Sequence, residues 1–88
     1  MSMMILLNDG IFPANLVYLR KKRKLTHIAL ARQSGISVHY LRAIENRHLL
    51  PQFHYRDYEN LCRVLCVSQT LMGSVLLEKE SEKEMTLD

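Results

Sequence analysis

The chain has 88 residues, 48% hydrophobic and 24% charged, a composition that suits one folded domain and excludes both a disordered chain and a membrane-embedded one. The net charge of +3 conceals an asymmetry, because residues 1–77 hold ten Lys or Arg against four Asp or Glu and residues 78–88 hold two against five. A basic body of +6 therefore precedes an acidic tail of −3, and a basic body is the electrostatic footprint of a protein that meets a polyanion.

Residues 1–10, MSMMILLNDG, form an apolar arm or short strand closed by the turn signal Asn8-Asp9-Gly10. The apolar run at 3–7 is too short to span a bilayer and has neither the basic flank nor the cleavage site of a signal peptide, so a cytoplasmic protein without a membrane partner is expected. Pro13 suits the first turn of a helix, where its missing N–H is not needed, and Leu16, Leu19 and the basic run at 20–24 continue that helix to near Lys24. Thr26 is an N-cap for a second helix of about eight residues, with Ala29, Leu30 and Ala31 inward, stopped by Gly35. Ser37 caps a third helix, in which Leu41 and Ile44 share one face while His39, Arg42, Ala43 and Asn46 fall elsewhere. After a loop at 47–51, Tyr58, Leu61, Cys62 and Leu65 mark a fourth helix, and Ser68 opens a fifth with Leu71, Met72, Val75 and Leu76 on its apolar side. The division is thus an arm at 1–10, a helical domain at 11–77 and a charged tail at 78–88, with no internal repeat.

The segment LTHIALARQSGISVHYLRAIENR, residues 25–47, resembles the helix-turn-helix of the Cro/C1-type (XRE) family of phage and bacterial regulators. The likeness extends to Leu16, Leu19 and Arg20 before it and to Tyr58, Leu61, Cys62, Leu65, Val67, Ser68 and Leu71 after it, so that it covers residues 12–77. The spacing has physical reasons of its own. Ala31 lets two helices approach, Gly35 makes the turn, and Ile36, Leu41 and Ile44 seat the third helix. The resemblance implies an all-α, five-helix, lambda-repressor-like DNA-binding domain whose two-helix unit lies at residues 26–46.

In such a unit the N-terminal half of the second helix enters the major groove, which implies base contacts by Ser37, Val38, His39, Arg42 and Ala43. Arg42 can pair bidentately with guanine, His39 can donate to guanine or to a phosphate, and Val38 can pack on a thymine methyl. The same likeness places Arg20, Lys22, Lys24, Thr26, His27, Tyr40, Asn46, Arg47 and His48 near the DNA backbone. It also implies that Arg20 pairs with Glu45 across the first and third helices, fixing the recognition helix. Two positions depart from the family pattern. His27 stands where a backbone-bonding glutamine is usual, which suggests pH-dependent binding there, and Arg47 stands where glycine is common. The basic run at 21–24 has two readings, a solvated helix face or a set of phosphate contacts.

Cys62 and Cys66, the only cysteines, read as small core hydrophobes, since four-residue helical spacing suits no unstrained disulfide. A metal pair completed by two of His27, His39, His48 and His54 lacks a histidine at the usual ligand spacing, so no metal and no cofactor is expected. Without paired carboxylates, an activated nucleophile or a phosphate-binding glycine loop, no enzyme is expected either. The expected function is sequence-specific binding of double-stranded DNA as a homodimeric transcriptional regulator, a repressor at a palindromic operator. The alternative is an antitoxin or adaptor whose arm or tail also grips a protein partner. Candidate dimer surfaces are the N-terminal arm and the fifth helix with Leu71, Val75, Leu76 and Leu77.

Overall fold

A computed structural model describes residues 10–47 and 54–79. Five helices appear among them: α1 (Ile11–Lys22), α2 (His27–Ser34), α3 (Val38–Glu45), α4 (Tyr55–Leu65) and α5 (Gln69–Ser74). Residues 77–79 are again helical, and no strand occurs among the described residues. The apolar arm at 1–9, the loop around His48 and the acidic tail from 80 lie outside the described residues.

Local signals fix most of the boundaries. Gly10 opens α1 with φ +76°, the left-handed turn that Asn-Asp-Gly announces, and its carbonyl accepts from Ala14 N–H at 3.2 Å. Thr26 Oγ1 accepts from Ala29 N–H at 3.0 Å, Ser37 Oγ from Tyr40 N–H at 3.1 Å and Ser68 Oγ from Leu71 N–H at 3.0 Å, each satisfying a donor that the helix start leaves free. Gly35 ends α2 at φ +76°.

The other helix ends are less expected. Leu25 N–H returns to Arg20 C=O at 2.9 Å while Lys24 N–H reaches Lys21 C=O at 3.0 Å, and the same pair of bonds recurs where Val67 N–H meets Cys62 C=O at 3.0 Å and Cys66 N–H meets Arg63 C=O at 3.2 Å. These are Schellman closures, which place one residue in the left-handed region where glycine is usual. Here it is Lys24 (φ 57°) after α1 and Cys66 (φ 55°) after α4, and Arg47 (φ 62°) follows α3 in the same conformation. One expectation is corrected by this geometry: Cys66 is exposed because it sits past the last turn of α4, while Cys62 is buried in the core. The first helix ends at Lys22, close to the expected end, as the closure reverses the chain by Lys24.

The core draws on every helix: Phe12, Leu16 and Leu19 from α1, Leu30 from α2, Leu41 and Ile44 from α3, Tyr58, Leu61, Cys62 and Leu65 from α4, and Met72 from α5, with Ile36 in the turn. Phe12 and Tyr58 meet edge to face, ring centroids 5.0 Å apart. Burial raises the Tyr58 hydroxyl well above its ordinary range, and burial, partly opposed by a hydrogen bond with Tyr58, pushes the Cys62 thiol up to about 11.

Two polar side chains are buried among the described residues, Asn15 and Ser34, and the Ser34 hydroxyl donates to Leu30 C=O at 2.7 Å within α2. Asn15, 1% exposed, donates to the carbonyls of Met72 and Val75, both at 2.8 Å, and accepts from Leu77 N–H at 3.0 Å. It thereby satisfies the free carbonyls at the end of α5 and ties that helix to α1. The fifth helix is shorter than its apolar pattern suggests. It stops at Ser74, after the poor helix formers Gly73 and Ser74, and Val75 is extended (φ −130°, ψ 132°). Of the expected apolar side only Met72 is buried, whereas Leu71 and Leu76 are 45% and 37% exposed.

Candidate nucleic-acid interface

α3 has two unlike faces because 3.6-residue periodicity separates positions 41 and 44 from positions 38, 39 and 42. Leu41 and Ile44 are fully buried, while Ser37, His39 and Arg42 are exposed and Val38 is half-buried. No described residue hydrogen-bonds or pairs with the Arg42 guanidinium, so its five donors are available to a ligand. Ala43, expected on the base-reading face, is corrected: at 7% exposure it is turned into the packing beside Ile44 and offers almost no surface to a base. Tyr40 is half-buried, its ring centroid 6.3 Å from that of His39, and Asn46 caps the end of α3 in the open.

The orientation of α3 is fixed from its C-terminal end. Arg20 Nε donates to Glu45 Oε2 at 2.7 Å and Nη2 to Oε1 at 3.1 Å, while Nη1 donates to Leu25 C=O at 3.0 Å. His27 Nε2 lies 3.1 Å from the same Oε1. One carboxylate therefore joins α1, α2 and α3. The Arg20 and Glu45 side chains are 12% and 10% exposed and that of His27 is 25% exposed. Burial alone would raise the Glu45 carboxyl, yet the hydrogen bonds from Arg20 and His27, with the charges behind them, outweigh it and hold the group below its ordinary value.

The Arg20–Glu45 pair is the one the family likeness implied. The third member is not. His27 was expected to face a phosphate, and its Nε2 instead serves Glu45. Arg20 likewise spends its donors inside the protein, which favours its structural role over the phosphate contact also expected of it.

The basic run divides. Lys21, Lys22 and Lys24 are exposed, with Lys22 Nζ 5.5 Å above the Tyr18 ring, whereas Arg23 is engaged. Its Nε donates to Leu65 C=O at 2.8 Å and its Nη2 donates to the same oxygen, capping the C-terminus of α4 with a cation. Neither reading of the run anticipated this, because the acceptor lies 42 residues away in sequence. Arg47 is exposed, but its guanidinium lies beside Gly10, where a Cβ would come within 3.3 Å of it. Thr26 is exposed and its hydroxyl already serves α2. His48 falls outside the described residues.

Among the described residues no group of three or more His, Cys, Asp or Glu is placed to hold a metal ion, and no helix is long and apolar enough to cross a membrane. What the arrangement offers is an exposed helix face with an unengaged arginine, locked at one end by a charged clamp.

A family model described as a helix-turn-helix domain matches residues 16–74. The chain belongs to this XRE-like helix-turn-helix family. Its all-helical architecture is that of the family, and it carries a DNA-binding domain. No curated protein and no solved structure matches the chain.

Proposed function

We propose that this helix-turn-helix protein is a transcriptional repressor that binds a palindromic operator as a homodimer, with α3 in the major groove. The observation that carries this is the face of α3. Ser37, His39 and Arg42 stand exposed opposite Leu41 and Ile44, on a helix whose end is clamped through Glu45 to α1 and α2. A side chain that reads bases must be free in the unbound protein and held by a rigid support, and Arg42 meets both conditions. Lys22, Lys24, Thr26, Tyr40, Asn46, Arg47 and His48 supply backbone contacts around it. A single unit of this size covers little DNA, and pairing two subunits addresses half-sites about one helical turn apart. Leu71 and Leu76, exposed near the end of α5, are apolar surface suited to that pairing.

The test is selection of bound duplexes from a random DNA pool, followed by titration of the recovered site over a range of salt. Two inverted half-sites should emerge, and affinity should fall steeply with salt as lysines and arginines displace condensed counterions. A pool that yields no enriched sequence would overturn sequence-specific recognition, and a single half-site bound by a monomer would overturn the palindrome. An antitoxin or adaptor would put Leu71 and Leu76 to another use. Sedimentation of the protein alone distinguishes it, because that role needs no homodimer.

A further inference from the structure

The Glu45 carboxylate settles where the proton of His27 sits. Arg20 holds that carboxylate ionised through two hydrogen bonds, so both oxygens can only accept. His27 Nε2, 3.1 Å from Oε1, must therefore be the N–H nitrogen, since the other tautomer would aim a lone pair at an anionic oxygen. A neutral imidazole has one N–H, which leaves Nδ1 bare. Nδ1 bonds no described residue, and no buried side-chain nitrogen or oxygen among them lacks a partner, so this nitrogen is open to solvent. The groups that face the ring are Glu45 from α3 and, on the same carboxylate, Arg20 from α1, while Lys24 is exposed in the turn before α2. The ring itself is on the first residue of α2, the helix that crosses the DNA backbone when α3 lies in the groove.

We propose that His27 is a proton-gated phosphate contact: neutral, it turns a bare acceptor nitrogen to the DNA backbone, and protonated, it donates Nε2–H to Glu45 and Nδ1–H to a phosphate oxygen. The inference rests on the DNA-binding reading above. Lone pair against phosphate oxygen is repulsive, and the cation replaces that repulsion with a charge-assisted hydrogen bond. The complex then holds more protons than the free protein, so affinity rises as pH falls. Imidazole ordinarily changes charge between about pH 5 and 8, while Glu45, held below its ordinary value, stays ionised there and keeps the ring in place.

The experiment measures binding to a labelled random-sequence duplex at fixed ionic strength from about pH 8 to about pH 5.5. The expected result is roughly tenfold tighter binding per subunit at the acid end, the size of one charge-assisted contact. The slope of log affinity against log salt should also steepen by roughly 0.9 per subunit, because one more phosphate is neutralised. His27→Gln should flatten both dependences, and His39→Gln should weaken binding but keep them. Calorimetry of the wild-type protein in two buffers of different ionisation enthalpy should show proton uptake on binding that peaks at about half a proton per subunit, the most that a tenfold change allows, a readout that needs no variant to fold. Equal affinity and equal salt slope at both ends of the range would overturn the proposal, as would a pH dependence that survives in His27→Gln. A protein that binds no duplex at any pH would instead sink the DNA-binding reading itself.

Discussion

Replacing Glu45 by alanine tests the support on which recognition depends. The substitution strips Arg20 Nε and Nη2 of their acceptor and frees His27 Nε2, leaving a guanidinium only 12% exposed beside an empty site. Breaking a buried ion pair from one side costs about 3–5 kcal/mol, and the water that reaches this partly exposed pair reduces the loss to roughly 2–4 kcal/mol. A domain of this size is stable by about 4–13 kcal/mol, so the loss is a large share of the total and lowers the melting temperature by roughly 8–32 °C. Urea and thermal denaturation followed by circular dichroism measure the loss, and duplex titration below the new melting point measures affinity, which should fall together with stability because α3 is no longer held. The acid limb adds a second signature. The Glu45 pKa is lowered on folding, so its contribution is present above the unfolded value of 4.5 and is lost as pH falls through the folded one. Wild type should therefore lose stability over that interval, and Glu45→Ala should lack this part of the loss. A variant within about 0.5 kcal/mol of wild type, yet weaker on DNA, would refute the clamp and place Glu45 at the DNA surface.

Arg42→Ala should cost about 1–3 kcal/mol of binding and relax base preference at one position per half-site, whereas Lys22→Ala should weaken all sequences alike; competition titrations against single-base variants separate the two, and equal effects would make Arg42 a backbone contact. Asn15→Leu removes both donors and the acceptor that hold the end of α5, so it should destabilise the fold by about 3 kcal/mol or more despite adding apolar volume, as urea titration would report. Deleting residues 1–9 should leave the melting temperature of the helical core little changed while shifting sedimentation toward monomer; unchanged mass would exclude the arm from the dimer interface.

Features set by neighbours in sequence were legible, and those set across the fold were not. Thr26, Ser37 and Ser68 cap helices because a hydroxyl reaches an N–H three residues on, a distance any sequence displays. The buried face of α3 follows from spacing alone. By contrast, Asn15 occupies a core position of α1 with a polar side chain, and only the end of α5 that it binds, more than 50 residues away, explains it. The partners of Arg23 and His27, Leu65 and Glu45, are 42 and 18 residues away, so neither the cap on α4 nor the third member of the clamp shows in the local sequence. Apolar spacing persists to Leu76, yet the fifth helix stops at Ser74, where Asn15 takes the Met72 carbonyl that a further turn would use.

The helix ends at Lys24, Arg47 and Cys66 are places where the fold has forgone stability it could have had. A left-handed conformation costs a side-chain-bearing residue about 1 kcal/mol that glycine avoids, so three glycines would make a tougher protein. Two of the three are basic and stand on either side of the helix-turn-helix unit, one just before Thr26 and one just after Asn46. Glycine there would erase a positive charge along with the strain. If Lys24 and Arg47 contact the DNA backbone as proposed, thermal endurance and grip on DNA pull positions 24 and 47 in opposite directions, whereas position 66 carries no charge to lose.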